Sequence, residues 1–308
     1  METAIGRRPR TRRISRGKRL EITARDLEVF RRLGQYRYLR TPYLYAFAAG
    51  ASETRFKERL GDLFHEGYLD RPAQQWELAD ARCTPAVYEL ANRGRTELAW
   101  HDLADTGCRT FLSAAPPKQF RHSLAICEVL ASIELGSCGR PGLRFIPWSE
   151  ILARAPEATK MSSMPFRIAT RETAIVPDGL FGLEYTCDAR KAYRFFALEV
   201  DRGTMPVARR DSRQTSLLEK LRTYREIIER RLYKDHWGIS TLLVLTLTVG
   251  DGRLANVLAA LKEIESASAL LFKTIGGEPR ALANPVLALV GQPWVRAVAA
   301  GLDISKSC

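Results

Sequence analysis

The chain has 308 residues, 45% of them hydrophobic, and carries a net charge of +13 from 48 basic and 35 acidic side chains. That length accommodates two domains with separate cores, and that charge points to a polyanionic partner, most simply nucleic acid. The six cysteines (83, 108, 127, 138, 187 and 308) form no CxxC pair or Cys/His zinc spacing, no apolar run reaches membrane-spanning length, and the basic N-terminus lacks an apolar signal core, which predicts a cytoplasmic protein with reduced thiols and no membrane segment. Residues 1–20 read as a basic arm, with Arg7, Arg8, Arg10, Arg12, Arg13, Arg16, Lys18 and Arg19 set against Glu2 alone. With almost nothing apolar to bury, the arm is expected to be disordered by itself and to add salt-dependent affinity along phosphates.

From Thr23, an N-cap with Asp26 three residues on, an apolar stripe of Leu27, Phe30 and Leu33 predicts a helix ending at Gly34. A second short helix starts at Thr41-Pro42. A third, capped by Ser52, points Phe56, Leu60, Leu63 and Phe64 inward and stops at Gly67. Tyr68-Leu69 begins a strand, and Val87–Leu90 returns as another. Three short helices followed by a strand pair resemble a winged helix-turn-helix DNA-binding domain, placed at 21–106. In such domains the third helix enters the major groove of double-stranded DNA. Arg55, Lys57 and Arg59 are then the basic residues of that helix, and Thr54, Arg55 and Glu58 the nearest to base edges. The alternative is a protein-docking or dimerisation module.

Residues 107–117, with two adjacent prolines, read as a linker. A helix follows over 120–135, with His122 in its first turn and Glu128 on what reads as its solvated side. Residues 143–150 look like an edge strand, 152–172 an irregular loop, and 276–308 a C-terminal extension. The central feature is a pair of apolar runs, IVPDGLFGLEY and YRFFALEVD. Strand periodicity puts Glu199 and Asp201 on one face of the second run, and Asp178 opens the first. Converging carboxylates repel and lose hydration unless paired or bound to a cation, and hard oxygen donors suit Mg²⁺ or Mn²⁺. Ion pairing at a strand end is the other reading. Beyond Asp201, Arg202, Arg209, Arg210 and Arg213 form a basic loop suited to phosphates. A helix over 217–232 then carries Lys220 and Tyr224 four residues apart on one side. An apolar strand, STLLVLTLTV, and a helix complete a parallel crossover unit.

Pro177-Asp178 followed by Glu199-Val200-Asp201 resembles the metal site of restriction-endonuclease-like nucleases, whose motif is Pro-Asp, a gap, then Asp/Glu-x-Lys. Asp201 stands where that motif has lysine, and Lys220 on the next helix is the candidate substitute. The longer signature of PDG, LEVDRGT and EKLRTY resembles the replication-relaxation family, which includes plasmid relaxases. This resemblance implies a two-domain α+β/α/β protein, the winged helix followed at 118–275 by a restriction-endonuclease-like domain. It implies site- and strand-specific DNA nicking at a plasmid origin, with Asp178, Glu199 and Asp201 on Mg²⁺ or Mn²⁺ and with Lys220 and His122 catalytic. Auxiliary relaxosome or replication proteins and a second copy of the chain are the implied partners. The second possibility is a DNA-binding replication or transcription regulator with an inactive nuclease-like domain. No Walker-type loop is present, and the four histidines are too scattered for the histidine-cluster class of relaxase.

Overall fold

The computed structural model describes residues 8–306 apart from 49, 51, 78–80, 82, 102–118, 189, 204–205, 208–215, 262–266, 277–280 and 297–299. The linker at 107–117 and the basic residues Arg209 and Arg210 lie outside the described residues. The chain divides into two compact units, residues 1–131 with 283–285, and residues 132–282 with 286–308. The division falls inside a helix, not at the 107–117 boundary expected from the paired prolines.

In the first unit α1 (Ala24–Tyr36) starts at a reciprocal capping box between Thr23 and Asp26. It runs through Gly34, because Leu33 and Tyr36 are both buried, and ends where Arg37 takes a φ of 68°. β1 (Leu39–Arg40) leads into α2 (Thr41–Ala48), and α3 (Glu53–His65) follows from the Ser52 cap. β2 (Leu69–Asp70) and β3 (Val87–Leu90) pair antiparallel, and β1 joins the far side of β3, giving a three-stranded sheet before α4 (Asn92–Trp100). Phe30, Leu33, Leu44, Leu60 and Leu63 form the core of this unit.

Two expectations change here. The arm is held rather than free: residues 8–18 are bonded to the C-terminal half of α3 and the segment just after it, where Asp62, His65 and Glu66 meet its arginines and backbone. Local composition could not show this, because the partners lie about fifty residues away. Glu128, expected on a solvated face of α5 (Phe120–Cys138), is instead buried, and both its oxygens accept from Arg40 Nη1 at 2.6 Å.

The second unit is built on a six-stranded mixed sheet, ordered β11-β10-β9-β8-β7-β4. β4 (Leu143–Ile146) is an edge strand, as expected. Trp148 and Glu150 belong to the next helix, α6 (Trp148–Ala153). The stretch read as an irregular loop holds α7 (Glu157–Lys160) and β5 (Ile168–Ala169), which pairs with β6 (Ala174–Ile175) just beyond it. β7 (Gly179–Cys187) and β8 (Arg190–Asp201) form the expected antiparallel hairpin. Gly182 is required there, since a Cβ would sit 2.8 Å from the ring of Phe195 opposite it. Phe145, Phe181 and Phe196 stack across three strands at centroid separations of 5.5 and 5.0 Å.

From β8 the chain passes through α8 (Leu217–Glu229) and α9 (Leu232–Trp237) to β9 (Leu243–Val249), which lies parallel to β8. It then passes through α10 (Asp251–Leu261) to β10 (Leu270–Ile275), parallel to β9. The short β11 (Val295–Arg296) closes the far edge. The crossover read from the sequence is therefore present, and the chain is a mixed α/β protein.

Candidate active site at the end of β7 and β8

The β7–β8 ladder begins at Gly179 opposite Leu198. Beyond it Pro177 has no N–H to offer, and the Val200 N–H donates to the Asp178 carboxylate at 2.8 Å. Asp178 is thereby fixed against the strand that carries Glu199.

Glu199 is 2% exposed. Its Oε2 accepts from Lys220 Nζ at 2.7 Å and its Oε1 from the Tyr224 hydroxyl at 2.6 Å. Lys220 and Tyr224 reach one carboxylate because they are a single helical turn apart on α8. The start of that helix is fixed by a capping box between Ser216 and Glu219. Ile227 continues the buried face.

Electrostatics make this an unusual carboxylate. Burial, and then the nearby Asp178 charge, push Glu199 up to about 7, against the pull of Lys220 and Tyr224. Burial works against the charge on Lys220, but Glu199 and Asp178 outweigh it and raise its pKa. Burial raises Tyr224 well above its ordinary value, and the Glu199 charge adds to the effect. The direction for Glu199 sets a stability expectation. Its folded pKa lies above the ordinary 4.5, so the protonated form is favoured by folding. That contribution is complete below pH 4.5 and is lost as pH rises through about 7. Denaturant melts at several pH values should show wild type losing stability relative to Glu199→Gln over that window. Parallel curves would mean that Glu199 ionises normally.

Asp201 is not part of this group. It pairs with Arg253, whose Nη2 lies 2.8 Å from Oδ1, and it accepts from the Thr248 hydroxyl at 2.8 Å and from the Gly203 N–H at 3.0 Å. Thr248 is its partner across the β8–β9 pairing. Of the three carboxylates expected to converge, Asp201 takes the ion-pair arrangement that the sequence also allowed, and among the described residues no group of three His, Cys, Asp or Glu side chains is placed to share an ion. Asp178 and Glu199 themselves fit a hard divalent cation, since both offer oxygen donors and Asp178 disfavours ionised Glu199, a repulsion that a cation relieves. On β9, Thr246 is registered with Glu199, and its buried hydroxyl has no partner among the described residues. His122 stands half-buried in the first turn of α5, in the first unit, whereas Asp178, Glu199 and Lys220 are in the second. Arg202 is half-buried directly after β8.

On α3, Thr54, Arg55, Lys57 and Glu58 are exposed, and Lys57 pairs with Glu53 one turn back. Arg59 is not available in this way. It forks onto Asp26, at 2.6 Å from Oδ2, and donates to the Glu21 carbonyl, fastening α3 to the start of α1. Arg59→Ala should therefore cost about 1.5–3 kcal/mol of stability, the range for hydrogen bonds to charged groups, with base preference unchanged. Thermal melts and a binding-site selection would check the two halves of that expectation. Sequence periodicity missed both Arg59–Asp26 and Asp201–Arg253 because each joins separate elements.

The site is thus a buried carboxylate–lysine pair on a mixed α/β sheet, beside a carboxylate fixed at a strand end. The family model for replication-relaxation proteins matches residues 30–243, and the chain belongs to that family. No curated protein and no solved structure matches it. The family points to a role in replication or mobile-element processing and to involvement with DNA. Among the described residues no helix is long and apolar enough to cross a membrane.

Proposed function

We propose that this protein is a DNA-binding nickase that makes a metal-dependent, site- and strand-specific cut in plasmid or mobile-element DNA. The observation that carries the reading is the gathering of Asp178, Glu199 and Lys220 at the end of β7, β8 and α8. The order of elements in the first unit is that of a winged helix, with the exposed N-terminal half of α3 as its DNA-reading face. The second unit is read as a restriction-endonuclease-like domain.

Asp178 and Glu199 would hold Mg²⁺ or Mn²⁺, which supplies Lewis acidity toward a phosphodiester and lowers the pKa of bound water. Lys220 neutralises charge that develops on the phosphoryl oxygens. Tyr224 is wholly buried against Glu199 and acts as its positioning residue, not as a nucleophile.

A second reading is a DNA-binding replication or transcription regulator with an inactive nuclease-like unit. It is favoured by the partners already given to Glu199 and Asp201. The experiment that separates the two readings is conversion of supercoiled plasmid carrying the element's own origin to open circle, with and without Mg²⁺ or Mn²⁺.

A further inference from the structure

The basic side chains of the N-terminal arm, among the described residues, fall into two sets. One set is used up in holding the arm to the body. Arg8 and Lys18 both reach Asp62, the latter at 2.7 Å. Arg10 donates to the Thr84 carbonyl at 2.7 Å and lies over the Trp76 ring. Arg13 donates to the carbonyl of Phe64 in the last turn of α3 at 2.9 Å and to that of Leu69 in β2 at 3.0 Å. The backbone is fixed as well. Ile14 N–H donates to His65 Nδ1 at 3.0 Å, and the Ser15 hydroxyl and Arg16 N–H donate to the two oxygens of Glu66 at 2.5 and 3.1 Å. His65 and Glu66 are 3% and 4% exposed, so this is a built seat rather than a surface brush.

The other set is Arg12, Arg16 and Arg19. Their side chains make no hydrogen bond or ion pair among the described residues, and all three are exposed. The seat that orders the arm therefore leaves three exposed guanidinium groups on a backbone that is held to the body. The arm is seated on the last turn of α3, at Asp62, Phe64 and His65, and on Glu66 just after it, and Arg59 of the same helix bonds to Glu21 where the arm ends. The same helix carries the exposed Thr54, Arg55, Lys57 and Glu58.

We propose that Arg12, Arg16 and Arg19 form a pre-ordered phosphate-binding edge that clamps the backbone of duplex DNA beside the α3 face. This inference rests on the DNA-binding half of the function proposed above. Because the arm is already seated, contact with DNA does not carry the ordering cost that a disordered tail would. The contacts are to phosphates, so they add affinity and salt dependence without base preference.

The test compares the full-length protein with the triple variants R12A/R16A/R19A and R12K/R16K/R19K on a 30-base-pair duplex across a range of salt concentrations. The alanine triple should flatten the slope of log affinity against log salt by roughly 2–3, as expected for three lost phosphate contacts, and should weaken binding equally on unrelated sequences. The lysine triple should keep the slope. Thermal melts of all three proteins should coincide, because the substituted side chains bear no internal bond. An alanine triple that binds duplex with the wild-type slope overturns the proposal while leaving DNA binding intact. So does a lysine triple that loses the slope, or a wild type that prefers duplex RNA. Failure of the wild type to bind any duplex at low salt would instead sink the DNA-binding reading on which the proposal rests.

Discussion

Nicking by Glu199→Gln is expected to fall by about 10²–10³-fold, the scale seen when a single group that stabilises transition-state charge is removed, while DNA affinity stays within about twofold. Glutamine keeps an acceptor for Lys220 or Tyr224 but removes the charge that would hold the cation. Lys220→Met should lose nicking on the same scale by a different route, since the carboxylates remain but the cation that steadies the phosphoryl oxygens is gone. The two variants separate through metal affinity, which should drop for Glu199→Gln and persist for Lys220→Met, read by titration with Mn²⁺. Because Glu199 is held near 7, the wild-type metal affinity should climb as pH rises through that value. Unchanged nicking in both variants would favour the regulator reading.

The other large effect concerns folding. Glu128→Ala is expected to destabilise the protein by about 3–5 kcal/mol, the cost of stranding one charge of a buried pair. Arg40 and Glu128 have side chains only 5% and 2% exposed, and alanine leaves the guanidinium without its carboxylate. Replacing both partners by apolar residues of similar size, Arg40→Met with Glu128→Leu, should recover most of the loss. Urea melts of the two variants check this. A loss below about 1 kcal/mol for Glu128→Ala, the range of an exposed ion pair, would mean that the pair is wet.

These two sites show where the sequence is informative and where it is not. The β7–β8 hairpin could be read directly, because two apolar runs of strand length flank a short polar turn, and Glu199 falls at a position where a covered strand does not carry charge. Lys220 and Tyr224 could be paired because four residues make one helical turn. The partners of Asp201, Arg40, Arg59 and the arm could not be read in this way. Arg253 is 52 residues from Asp201, and Glu128 is 88 from Arg40. Local pattern therefore left Asp201 open between a metal ligand and an ion pair and made Glu128 a solvated residue, whereas tertiary pairing joins Asp201 to Arg253 and Glu128 to Arg40. Composition likewise made the arm a free tail, because its acidic seat on α3 is distant in sequence. The end of α1 was misplaced by giving Gly34 the role of a stop, when burial of Tyr36 carries the helix on to Arg37.

The most direct test of the central claim is a nicking assay on supercoiled plasmid bearing the element's own origin. Wild type and Asp178→Ala would be run side by side with Mg²⁺, with Mn²⁺ and with chelator, and a gel shift on the same DNA would report binding. The account predicts metal-dependent open circle with wild type, none with Asp178→Ala, and equal gel shifts. Equal shifts with no open circle from the wild type, in any metal and on its own origin, would contradict it.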